Sequence, residues 1–237
     1  PKDGDLKQGA PLVAGAIRFR DPRLPAAKPD HIFLIGRPKL NQANVKLGFP
    51  GVSPADSDYP AAQVLSALLG EYFYSRLNRV IRDEKGLTYS IATSLSALEE
   101  AAMFSVSAAT QNAKVGELVA ETKKILSAVA YGDITQEEVT TARDYLIGGF
   151  PLSVSTLGAI ASKWVGARLY GLGEYYLEGV VSRLKTVTLE QVKNVAKSRF
   201  KLDQPTIVVA GEEGEVTASL KRAGMKRILV VETKDLL

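Results

Sequence analysis

The stretch L-G-E-Y-F-Y-S-R-L-N-R-V-I-R-D-E-K-G-L-T-Y-S, residues 69–90, carries a helix, a stop and the start of a strand within one short run. Leu77, Val80 and Ile81 make one apolar side at helical spacing over 75–85. Gly86 ends the helix, because glycine accepts the backbone that a helix C-terminus requires. A strand is then expected over 88–95. Working upstream, 59–69 reads as a second helix, and 31–36 (H-I-F-L-I-G) and 44–49 (N-V-K-L-G-F) read as strands, the latter alternating Val45, Leu47 and Phe49 with polar or small residues. Downstream, 102–109 is a further strand.

A long helix follows Asn112, with Val115, Leu118, Val119, Thr122, Ile125, Leu126 and Val129 on one face. Thr135-x-x-Glu138 and Thr188-x-x-Gln191 fit the capping box, in which a hydroxyl and a side chain three residues on satisfy orphan N–H groups, so each marks a helix start. Between them Leu157, Ile160, Ala161, Trp164, Val165 and Leu169 form another apolar stripe, expected to face the core and ended by Gly171. A strand at 206–211, a short helix at 216–222 and a strand at 227–231 close the chain. Paired strands around a helical block predict an α+β fold: a largely antiparallel sheet of about six strands covered by helices, not a doubly wound parallel sheet. Residues 1–30 hold five of the eleven prolines and read as an extended linker or domain entry, leaving 31–237 as the folded domain.

Composition closes off several chemistries. The chain has 237 residues, 46% hydrophobic and 24% charged, enough for a sizeable core. Its net charge of +4 is spread among acidic residues rather than clustered, which argues against nucleic acid as a partner. Zero cysteines excludes disulfides and thiolate metal sites and leaves the compartment open. No run approaches the ~18 apolar residues of a membrane span. A zinc peptidase helix needs two histidines one turn apart and a glutamate base, and the chain has only His31. No phosphate-binding loop is present: G-L-G at 171–173 continues as E-Y-Y. The acidic pairs Glu99-Glu100, Glu137-Glu138 and Glu212-Glu213 sit at expected turns or helix starts, where solvation and the helix dipole account for them. No catalytic residue and no metal ligand is assigned to this chain.

With the elements in place, the order L-G, S-R-L and R-x-x-K-G-L-x-Y-S in 69–90 resembles the pitrilysin/insulinase-type zinc peptidases, in the branch with mitochondrial processing peptidase, and specifically their second, non-catalytic domain. Q-A-N-V-K-L-G-F-P, a D-x-D-Y before the first helix, I-T-x-E-E-V and V-T-L-E-Q-V leading to I-V-V-A-G agree with it. The resemblance implies a metallopeptidase-like homologous half, with zinc and an H-x-x-E-H helix on a partner domain or subunit and peptide held between the two. It further implies that Arg82 and Tyr89 contact the substrate backbone near the cleaved bond. Spacing alone leaves two bland readings open: Arg76, Arg79 and Arg82 as one solvated helix face, and Tyr89 as a core residue sharing its strand face with Ile91, Thr93 and Leu95. The same family also contains structural subunits without peptidase activity, so an assembly role is the rival expectation.

Overall fold

A computed structural model of the chain describes residues 31–97, 102–173 and 176–231. The proline-rich segment 1–30 and the pair Glu99-Glu100 lie outside the described residues. Strand β1 spans Ile32–Gly36 and β2 spans Gln42–Pro50. Along β2, Ala43, Val45, Leu47 and Phe49 are buried while Asn44 and Lys46 are exposed, so the sheet buries one face under helices and leaves the other open. Strands β3 (Ile91–Ala97), β4 (Ala102–Gln111), β5 (Thr206–Gly211) and β6 (Ile228–Val231) complete a six-stranded sheet in the order β3-β4-β2-β5-β1-β6. The pairings β3–β4, β4–β2 and β2–β5 are antiparallel. The pairings β5–β1 and β1–β6 are parallel, because β1 lies between the two strands of the closing β-α-β unit.

Helices α1 (Tyr59–Ser66), α2 (Val115–Ala130), α3 (Gln136–Ser153), α5 (Val180–Lys185), α6 (Leu189–Asn194) and α7 (Glu213–Arg222) supply the covering layer, while α4 (Leu157–Leu169) follows α3. Both capping boxes form as the sequence indicates, at Thr135 for α3 and Thr188 for α6. The chain continues from α1 into a π turn, Ala67–Glu71, which packs against β3. There Gly70 is obligatory: a Cβ at that position would stand 2.8 Å from the Thr93 backbone nitrogen. Thr93 Oγ1 donates to the Ser66 carbonyl at 2.8 Å across the same contact.

Two local expectations change. The α4 stripe does not face the core: Leu157 is 87% and Leu169 is 73% exposed, and only Ala167 is buried in that helix. Helix α4 meets α3 at 115°, which turns its stripe out of the packed layer. The strand expected from Thr88 begins at Ile91 instead. Thr88 Oγ1 donates to the Ala109 carbonyl at 2.6 Å and accepts from Ser90 N–H at 3.1 Å, so a side chain replaces the ladder bond and bends the chain before pairing starts. Among the described residues no single helix is long and apolar enough to cross a membrane.

Candidate functional site

Arg82 belongs to the helical turn Asn78–Glu84, a π helix that follows Ser75-Arg76-Leu77. The helix ends with Gly86 N–H donating to Arg82 O at 3.1 Å and Leu87 N–H to Ile81 O at 3.0 Å, a glycine-capped closure one residue wider than the Schellman pattern. Gly86 has φ of +59°, as its place in that reversal requires. Lys114 Nζ donates to Gly86 O at 3.2 Å, and Lys85 pairs with Glu121 at 3.4 Å, so the reversal is tied to the start of α2. Arg82 and Tyr89 flank this reversal, one before and one after, without a direct bond between them.

The arginine is held by its own neighbours in the chain. Its guanidinium lies 3.7 Å above the Phe73 ring centroid, with Nη2 donating to Phe73 O at 3.2 Å. Nε and Nη2 also donate to the two Asp83 carboxylate oxygens at 2.7 and 3.2 Å. Hydrogen bonding to Asp83 raises the Arg82 pKa further, and the Arg82 hydrogen bond holds the Asp83 carboxyl below the ordinary carboxylate range. The Nη1 edge has no acceptor within hydrogen-bond distance among the described residues. Two donors therefore remain available on a cation whose plane is fixed by stacking.

Tyr89 is 93% exposed, which removes the core reading. It sits in the bend between Gly86 and β3, on backbone fixed one residue earlier by Thr88 and two residues earlier by buried Leu87. Thr110 Oγ1 donates to Leu87 O at 2.5 Å and secures the same segment from β4. The phenol thus stands on hydrogen-bonded backbone just ahead of the edge strand β3. The solvated-face reading of the three arginines also fails. Arg76 is nearly buried, bidentate to Glu138 at 2.8 and 2.5 Å and bonded to Asp133 O at 2.6 Å, whereas Arg79 remains in solvent.

Phe73, Asp83 and Thr88 were not singled out from sequence, although the adjacent Arg-Asp and the consecutive aromatics Tyr72-Phe73-Tyr74 were visible signals. Phe73 and Tyr74 are exposed and meet edge-to-face at 5.0 Å. Their turn is fixed by Ser75 N–H to Tyr72 O at 3.0 Å and by Asn78 Nδ2 to the same oxygen at 3.3 Å. The site can offer N–H and O–H donors to an acceptor on an extended ligand. It does not offer a metal centre: among the described residues, no three His, Cys, Asp or Glu side chains come together. His31 itself is partly buried ahead of β1, with Nδ1 lacking a hydrogen-bond partner. Among the described residues no set of side chains fits a zinc ion, which the resemblance assigns to the partner half.

Comparison with known proteins agrees with this architecture. Residues 4–146 match the family described as the peptidase M16 inactive domain. An uncharacterized zinc protease of Streptomyces coelicolor is 29% identical over 196 residues, covering 83% of this chain and 42% of the relative. The uncharacterized zinc protease YmxG of Bacillus subtilis is 25% identical over 178 residues, covering 75% of this chain and 43% of the relative. The crystal structure of a peptidase M16 inactive domain from Pseudomonas fluorescens superposes with a TM-score of 0.71 at 25% identity, covering 79% of this chain and 45% of that one. The chain therefore spans less than half the length of these relatives. With the family pattern matched over more than half of the sequence and the layered α+β fold shared, the chain belongs to the peptidase M16 inactive-domain family.

Proposed function

We propose that this chain is the substrate-holding half of a two-part zinc metallopeptidase, and that Arg82 and Tyr89 bind the backbone of an extended peptide opposite a zinc-bearing half. The observation that carries the reading is the contrast at one reversal: an arginine fixed by stacking and a carboxylate with one donor edge left over, and a tyrosine exposed on pinned backbone seven residues later. The phenol is exposed with no hydrogen-bond partner among the described residues, while Leu87 and Thr88 hold the backbone just before it, which is what a residue kept free for a ligand requires. In a closed chamber the two groups would donate to a peptide carbonyl, and to the charge that grows on it if it is the scissile one. The peptide would also meet β3, the edge strand beside Tyr89, whose outer side is unpaired in the sheet.

Zinc and the H-x-x-E-H helix belong to the partner in this reading, whether that partner is a domain or a separate subunit. Residues 31–237 would form the holding domain, with 1–30 as its entry. The test is to purify this chain and a zinc-bearing half separately, measure metal content, and assay peptide cleavage alone and mixed. The expected result is zinc on the other half only, no cleavage by this chain alone, and cleavage on mixing. Tight stoichiometric zinc on this chain, or a stable complex that binds no peptide and cleaves none, overturns it. The second of those results would favour the structural role instead.

A further inference from the structure

The helical layer contains a cavity of about 610 Å³ bounded by α1, the π turn, α3, α4 and α5, distinct from the Arg82–Tyr89 reversal. Tyr59, Tyr145, Tyr170 and Tyr176 line it, together with one carboxylate, Glu71, and one amine, Lys163. Glu71 is exposed at the rim of this wall, and both its carboxylate and its backbone carbonyl are engaged there. Its Oε1 accepts the Ser66 hydroxyl at 2.6 Å, its backbone carbonyl accepts the Tyr145 hydroxyl at 3.3 Å, and the next residue, Tyr72, packs on the Tyr145 ring at 5.2 Å. No lysine or arginine among the described residues lies within ion-pair distance of the Glu71 carboxylate, in a protein that carries a net charge of +4. The inner part of the wall is half-buried at Tyr59, where burial pushes the phenol up to about 12, with Tyr176, Tyr170 and Glu71 adding to the shift, and the Glu71 carboxyl is also raised despite the Ser66 hydrogen bond.

A hydrogen-bonded carboxylate with no ion-pair partner among the described residues, at a wall lined by tyrosines, is an arrangement that recognises an organic cation: Coulomb attraction at the carboxylate, and attraction of the charge to the rings. The molecule already uses one of these rings in that way, since the Arg183 guanidinium lies 4.2 Å over the Tyr176 centroid. From this juxtaposition we infer that the cavity is a binding site for a guanidinium or alkylammonium group on an apolar stem, whether free or as the basic side chain of a peptide. Lys163 shares the wall and disfavours ligands with a second positive charge. Neither Arg82 nor Tyr89 lines the cavity, so the inference stands or falls apart from the peptide-holding role.

The test is calorimetric titration of the full chain with butylguanidinium, with N-acetyl-arginine-N-methylamide and with its neutral citrulline isostere. Both cations are expected to bind and the citrulline compound to bind about tenfold more weakly or not at all, the scale of one charge-assisted contact. Glu71→Gln, which keeps an acceptor for Ser66, is expected to lose a similar factor for the cations with its melting temperature little changed. Binding by the arginine derivative alone would assign the site to peptide side chains, whereas equal binding by butylguanidinium would show that a free small cation suffices. No binding of either cation, or equal affinity for arginine and citrulline compounds, overturns the inference; this second comparison needs only the wild-type chain, so it decides the matter even if the variant misfolds.

Discussion

Arg82 and Tyr89 differ in what their removal does to the folded chain, and this separates structure from function at single residues. Tyr89 is almost wholly exposed and bonds to no described residue, so Tyr89→Phe is expected to leave the melting temperature unchanged to within about 1 °C, the usual result for surface substitutions away from packed features. Arg82 stacks on Phe73 and binds Asp83, but at a surface where such contacts contribute little, so Arg82→Ala is also expected to fold normally by circular dichroism. Arg76 is the opposite case. Its side chain is 10% exposed and forks onto Glu138 while also binding Asp133 O, so Arg76→Ala leaves a partly buried carboxylate unpaired. A loss of about 2–3 kcal/mol is expected, below the full cost for a deeply buried pair, and denaturant unfolding measures it. Sequence gave no means of ranking these arginines, since all three fall on one helix side; burial against α3 distinguishes Arg76, and an aromatic ring from a preceding turn distinguishes Arg82.

Within elements, the glycines of the quoted stretch and the α3 cap make separate demands. Gly70→Ala would put a Cβ within 2.8 Å of the Thr93 backbone nitrogen, so the π turn must move off β3. Overpacking of that kind costs about 1–3 kcal/mol, read as a lower denaturant midpoint. Gly86→Ala meets open space but keeps φ at +59°, so its cost is backbone strain alone, about 1 kcal/mol. At the start of α3, burial alone would raise the Glu138 carboxyl, but hydrogen bonds from Arg76 and from Thr135 outweigh it and hold the group below its ordinary value of 4.5. A depressed folded-state pKa contributes stability that is complete above the unfolded value and is lost as pH falls through the folded one. Wild type is therefore expected to lose stability on acidification below 4.5, with a weaker acid dependence in Arg76→Ala, followed by unfolding at several pH values. The capping boxes were legible because cap chemistry is local. The strand start was not, because Thr88 reaches Ala109 on a neighbouring strand, a contact that no window of sequence contains.

For the molecule as a whole, the sequence conveyed the layer arrangement and the order of elements, while the side-chain environments depended on packing. The α4 stripe has the periodicity of a core helix, yet the 115° turn after α3 leaves it outside the packed layer, and only the position of the helix reveals that. The candidate site was legible as two positions and not as a geometry: the stacking on Phe73, the Asp83 fork and the Thr88 brace all arise from folding around the Gly86 reversal. The chain covers less than half the length of the two zinc-protease relatives compared above, and in the proposed reading cleavage requires a zinc-bearing half as well. The most direct measurement is kcat/KM for peptide cleavage by the zinc-bearing half reconstituted with wild type, Arg82→Ala or Tyr89→Phe. Each lost donor is expected to lower kcat/KM by roughly 10²-fold, the scale found when one oxyanion donor is removed, with assembly and melting temperature intact. Wild-type kcat/KM in both variants would contradict the assignment of peptide contact to this reversal.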